Sequence, residues 1–104
     1  MTNKLWKSVE RKVAELLGGK RVPVHSTSGI KSDVDHEWLS IECKERQNPI
    51  RFLEKSMQQA VRNASENKLP IVVVHIKGSE YLSDYVILRL GDFRDWFVNE
   101  EVTQ

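Results

Sequence analysis

The chain has 104 residues and a single cysteine, Cys43. That excludes an intramolecular disulfide and any zinc site built from several cysteines. The three histidines, at 25, 36 and 75, lack the spacing of a metal-ligand set. No apolar run approaches the roughly 20 residues that a membrane span needs. The opening MTNKLWKSVERK has no hydrophobic signal region, so a cytoplasmic protein without a membrane partner is expected. An excess of one sign of charge is lacking too, with 16 Lys and Arg against 15 Asp and Glu and a net of +1. This argues only weakly against a nucleic-acid partner, because carboxylates gathered for a cation lower the total until the cation binds. Repeats, low-complexity tracts and linkers are also missing. A single domain over 1–104 is therefore expected.

Hydrophobic spacing supplies the elements. Leu5, Val9, Val13, Leu16 and Leu17 recur at helical intervals, with Trp6 beside them, and predict a helix over 3–17. Gly18-Gly19 is its stop. A short strand follows over 20–24, on an edge because Pro23 has no N–H. HSTSGIKS is a loop. Ser32 to Asp35 comes next as a further strand, then a tight turn near His36-Glu37 and a strand from Trp38 to Lys44. A second helix is expected from Ile50 to Asn67, with Leu53, Met57, Ala60, Val61 and Ala64 inward. Ile71 to Val74 is the most apolar strand. Gly78 to Asp84 is a polar loop, and Tyr85 to Leu90 another strand. A short helix with Asp92 as N-cap carries Phe93, Trp96 and Phe97. The order is helix, three strands, helix, two strands, helix.

The chemistry concentrates in SDVDHEWLSIECKER. Asp33 lies near a strand end. Nine positions later comes Glu42-Cys43-Lys44. Strand residues alternate between faces, so Leu39, Ile41 and Cys43 point one way and Ser40, Glu42 and Lys44 the other. If 32–44 is a hairpin, neighbouring strands about 4.8 Å apart let Asp33 meet Glu42. Magnesium takes hard oxygen ligands of this kind, completed by waters and phosphate. Lys44 shares the face of Glu42, where a cation orients a water or steadies charge growing on a phosphate. The same residues also fit a solvated strand face with Asp33 as a turn residue, because an Asp followed by Glu-x-Lys is a short pattern. Asp35 competes with Asp33 but lies nearer the turn. His36 is either a solvated turn residue or a general base. Cys43 falls on the apolar face and is expected to pack in the core.

Together, WKSVERKVAELLGG with Glu10, Ser-Asp33-Val, Ile-Glu42-Cys-Lys44, the 50–67 helix and PIVVVHI resemble the PD-(D/E)XK nuclease superfamily. The likeness covers residues 4–76, and is greatest to small Holliday-junction-resolvase-like members. The first motif departs from the family's pattern, with Ser in place of Pro before Asp33. The resemblance implies an α/β, restriction-endonuclease-like core: a central mixed β-sheet flanked by helices in αβββαββα order. It implies a Mg2+-dependent endonuclease, with Mn2+ as an alternative, hydrolysing DNA phosphodiesters. Asp33, Glu42 and Lys44 are then catalytic. Glu10 joins Asp33 and Glu42 as a metal ligand, and the Cys43 carbonyl completes the shell. On the expected helix, Glu10 falls roughly 80° from the apolar centre, at the rim.

The family's helical glutamine maps to Gln59, while helix geometry favours Gln58. Arg21, Ser28, Lys31 and Arg46 would contact the DNA backbone. A branched or structured DNA partner is implied, and a homodimer cutting two strands; the apolar LRLGDFRDWFV fits either the interface of such a dimer or ordinary core packing. Two other readings remain. One is a catalytically silent DNA-binding or assembly module of the same fold. The other is an interaction domain whose charges are all surface.

Overall fold

A computed structural model describes residues 2–23, 29, 30 and 32–99, with side chains from Lys7 onward. The chain divides into two compact units, Met1–Gln47 and Asn48–Gln104. It is a mixed α/β protein with small antiparallel sheets.

The first unit opens with helix α1, Thr2–Leu17. Its inward stripe runs through Val9, Glu10, Val13, Ala14 and Leu17, at the three- and four-residue spacing of one helical face. Gly18 ends the helix at φ +76°, a left-handed conformation open to glycine. The Gly19 N–H then donates to the Ala14 carbonyl at 2.8 Å, which completes a Schellman cap. The chain turns straight into β1, Lys20–Arg21, which pairs antiparallel with β2, Val34–Asp35. The Val22 N–H extends that ladder to the Asp33 carbonyl at 3.0 Å. A third segment lies antiparallel to β2 through the Val34–Ile41 bridge and the Asp33 N–H to the Ile41 carbonyl at 2.9 Å. Ala14, Val34 and Cys43 form the core, with Val9, Val13 and Ile41 around it.

The strand expected over Trp38–Lys44 keeps its alternation, with Leu39, Ile41 and Cys43 inward and Ser40, Glu42 and Lys44 exposed. Its backbone pairing is confined to the bridge at Ile41. The reason is chemical: the Cys43 N–H donates to the Asp33 carboxylate rather than to a neighbouring carbonyl.

The second unit contains α2, Arg51–Asn63, which packs against β3, Val72–Val74. α2 stops four residues before the expected Asn67, because Ala64 is extended at ψ 129°. Val61, expected inward, is exposed, while Met57 is the buried residue of the helix. β3 pairs antiparallel with β4, Tyr85–Ile87, in the register Val72–Ile87, Val73–Val86 and Val74–Tyr85. The expected deeply buried strand is half open: Val73 and Val86 sit opposite each other, each 56% exposed. One step beyond, His75 Nδ1 meets Asp84 Oδ1 at 2.7 Å, and the Tyr81 ring stacks on His75 at 4.2 Å. The loop between them is not wholly irregular, since Tyr81–Ser83 makes a 3-10 turn. Helix α3, Leu90–Phe93, follows, and Arg94–Val98 continues it as a π-helical turn. Arg89 rather than Asp92 occupies its N-cap, which puts Asp92 inside the first turn.

Among the described residues, then, pairing is antiparallel throughout. It makes one two-stranded sheet in each unit. No helix among them is long and apolar enough to cross a membrane.

Candidate active site

Asp33 is the pivot of the first unit. Its backbone joins β1 on one side, through Val22, and the third segment on the other, through Ile41. Its side chain then reaches along that third segment, where Oδ2 accepts the Cys43 N–H at 2.6 Å. A charge-assisted bond of this kind fixes the carboxylate more firmly than a neutral one. It attaches Asp33 to the backbone between Glu42 and Lys44, the two residues whose side chains alternate outward there.

Glu10 departs from expectation. The helical wheel put it at the rim, yet only 7% of it is exposed. It occupies the inward stripe with Ala14 and Leu17. A buried carboxylate needs a counter-charge and hydrogen bonds. Arg21 supplies both, donating from Nε to Glu10 Oε1 at 2.8 Å. Arg21 was assigned to DNA contact on sequence grounds; in the structure its guanidinium is turned inward, on Glu10. Nothing in the spacing of a helix and a following strand signals that pairing, because it depends on how tightly the Gly18-Gly19 cap folds β1 back along α1.

Cys43 is buried beside Ala14 and Val34, as its place in the alternation requires. Burial pushes its thiol above the ordinary value, and the charges of Asp33, Glu10 and Glu42 push it further. All three carboxylates thus act on one buried sulfur. The thiol stays protonated there, which disfavours any role as a nucleophile.

Both ring nitrogens of the half-buried His36 are engaged by backbone groups. Its Nε2 lies 2.7 Å from the Leu17 carbonyl, which can only accept, so the proton is on Nε2. Nδ1 accepts from the N–H groups of Trp38 and Leu39 at 3.2 and 3.3 Å. The ring therefore clips the turn to the end of α1. Asp35, in β2, is exposed.

Lys44 and Arg46 are exposed beyond Cys43. Gln58 and Gln59 are both exposed on α2, so burial does not choose between them. Ser28 and Lys31 lie outside the described residues, as does His25.

The donor set of Glu10, Asp33 and Glu42 is chemically suited to a hard divalent cation. Among the described residues, however, no three His, Cys, Asp or Glu side chains are grouped closely enough to hold one. Two of the three carboxylates are engaged instead by the protein's own donors, Arg21 and the Cys43 N–H. The His75–Asp84 pair under Tyr81, in the second unit, was not anticipated. Its members are nine residues apart and meet only through the β3–β4 register.

No family model, curated protein or solved structure matches the chain.

Proposed function

We propose that this chain is a metal-dependent endonuclease acting on DNA, selective for branched or otherwise structured substrates, on a restriction-endonuclease-like core. The observation that carries the reading is the bond from the Cys43 N–H to Asp33, which ties this Asp to the Glu-x-Lys segment. The meander of β1, β2 and the Ile41 segment behind α1 supports it. Asp33 and Glu42 would hold Mg2+ or Mn2+, with the Cys43 carbonyl and Glu10 as further donors. Such an ion, when bound, neutralises phosphate charge and acidifies a coordinated water.

The chain's own side chains do the rest. Lys44, exposed on the side of Glu42, orients the attacking water or faces the charge developing on the phosphate. Arg46, with Ser28 and Lys31, contacts the DNA backbone, so binding weakens as salt rises. No element among the described residues has the character of a base-reading helix, which favours recognition of DNA shape over sequence.

The test is cleavage of a labelled four-way junction and a matched linear duplex, each with Mg2+ or EDTA. Cutting is expected with Mg2+ only, falling by roughly a hundredfold or more in Glu42→Ala and Lys44→Ala. Cleavage unaffected by both substitutions would remove this site assignment.

A second reading is favoured by the engagement of Glu10 and Asp33 with internal donors. On it, the chain is a silent DNA-binding or assembly module. It then binds the junction but leaves it whole at every metal concentration.

A further inference from the structure

The outward side of the third segment carries more than Glu42 and Lys44. Exposure alternates along it: Trp38, Ser40, Glu42 and Lys44 are exposed, while the residues between them are buried or half-buried. Trp38 is the aromatic on that outward side, and it is 57% exposed. The turn that presents it is pinned. His36 Nε2 donates to the Leu17 carbonyl at the end of α1, and Nδ1 accepts from the N–H groups of Trp38 and Leu39. The His36 ring also meets the indole edge to face, with centroids 5.8 Å apart. The indole is thus offered to solvent from a fixed turn, which lowers the ordering cost of a contact made there.

The charges around Trp38 select the kind of ligand. Asp35 and Glu37 precede it and Glu42 and Glu45 follow, all exposed, against Lys44 and Arg46. Carboxylates prevail in that stretch, so a phosphate gains little there, whereas an uncharged flat ring can stack on the indole. Four residues separate Trp38 from Glu42, at most roughly 14 Å of extended backbone, or about four nucleotides of one strand. We propose that Trp38 stacks on a nucleobase whose face is left open by a branch or an unpaired position. This rests on the DNA reading and names what recognises structure in the substrate. Trp38 is a specificity-determining residue with no part in the chemistry. A base inside a linear duplex is covered on both faces by its neighbours, so the contact adds affinity for structured DNA alone. It uses no ion pair, so its share of the binding does not fall as salt rises, unlike that of phosphate contacts.

The experiment is binding of the full chain, Trp38→Ala and Trp38→Phe to a four-way junction and to a matched linear duplex, in EDTA so that strands are not cut. Each DNA carries a distant fluorescent label that reports affinity. Each also carries 2-aminopurine, at the branch point of the junction or inside the duplex, whose emission is quenched when its base stacks. The parent should prefer the junction and quench its 2-aminopurine. Trp38→Ala should bind the junction roughly tenfold more weakly, the loss expected for one stacked base, and the duplex as the parent does. Its quenching at saturation should be lost, and the ratio to the parent should be the same at low and high salt. Trp38→Phe keeps an aromatic face and should retain most of both signals. A Trp38→Ala chain that binds and quenches as the parent does overturns the proposal and leaves the DNA reading in place. So does equal weakening on junction and duplex, or a parent that does not distinguish the two. Absence of binding to either DNA by all three chains removes the DNA reading, and the proposal with it. Should Trp38→Ala fail to fold, Trp38→Leu takes its place. It keeps apolar bulk without the flat ring, and the same loss is expected.

Discussion

Cys43 shows how much one residue's alternation can settle. Its position between Glu42 and Lys44 places it on the apolar face, and it is 5% exposed. Burial, and then the charges of Asp33, Glu10 and Glu42, hold its thiol above the ordinary value. The neutral thiol is thus favoured in the fold. Its contribution to stability is complete below the ordinary thiol value. It is lost as pH rises from there towards the raised value of the folded state. Urea unfolding across the alkaline range should show stability falling more steeply in the parent than in Cys43→Ala. Alkylation by iodoacetamide at pH 8 should be at least roughly tenfold slower in the folded chain than in urea. Equal rates would mean that the sulfur is open to solvent.

Glu10 teaches the opposite lesson at the same scale. The helical wheel puts it at the rim, yet it is buried, because Arg21, a partner the wheel does not show, decides whether a carboxylate can be buried. Replacing Arg21 by Ala strands that charge and should cost about 3 kcal/mol or more. The double change Glu10→Ala with Arg21→Ala should recover part of the loss. Additive losses in the cycle would show that the two side chains do not interact.

At the scale of elements, stops were more legible than pairings. Gly18-Gly19 ends α1 as glycine chemistry demands, but the two glycines have different reasons. Gly18 needs its positive φ and has open space where a Cβ would go. A Cβ on Gly19 would sit 2.5 Å from the Asp35 carbonyl oxygen and 2.8 Å from a Val34 methyl, against backbone that cannot yield cheaply. Gly18→Ala should therefore cost about 1–2 kcal/mol, the left-handed penalty of an L-residue. Gly19→Ala should cost more and loosen β1 from β2. Denaturant midpoints for the two variants test this, and equal losses would argue against the close approach.

The end of α2 was misjudged for a local reason. Asn67 does take a left-handed conformation, at φ 66°, but as part of the turn beyond the helix rather than at its end. The third segment was read as a full strand because alternation reports side-chain faces only. It says nothing of backbone partners, and here a carboxylate takes the N–H that a ladder would use.

For the whole molecule, the sequence order of helices and strands matches the described elements except at Trp38–Lys44, where the strand is reduced to a bridge at Ile41, and the pairing of strands does not follow from order. Order depends on local spacing, but joining strands into one sheet depends on pairings far apart in the chain. Burial follows the same division. Apolar runs such as Ile71–Val74 announce that a surface wants covering without naming the cover, and Val73 with Val86 forms an exposed apolar pair. The C-terminal LRLGDFRDWFV adds to this, with Trp96 and Phe97 each 48% exposed and Leu90 also exposed. A monomer rarely leaves large aromatic groups of this kind together in water. A second copy is the partner we propose for this surface, because paired cuts in a branched substrate use two sites at fixed separation. Sedimentation equilibrium of the full chain should then report a dimer at micromolar concentration. Trp96→Ser combined with Phe97→Ser should shift it to monomer. Junction cleavage by that variant should lose its symmetry, with nicks in single strands replacing paired cuts. A parent that sediments as a monomer, or a variant that still dimerises, would place the interface elsewhere or remove it.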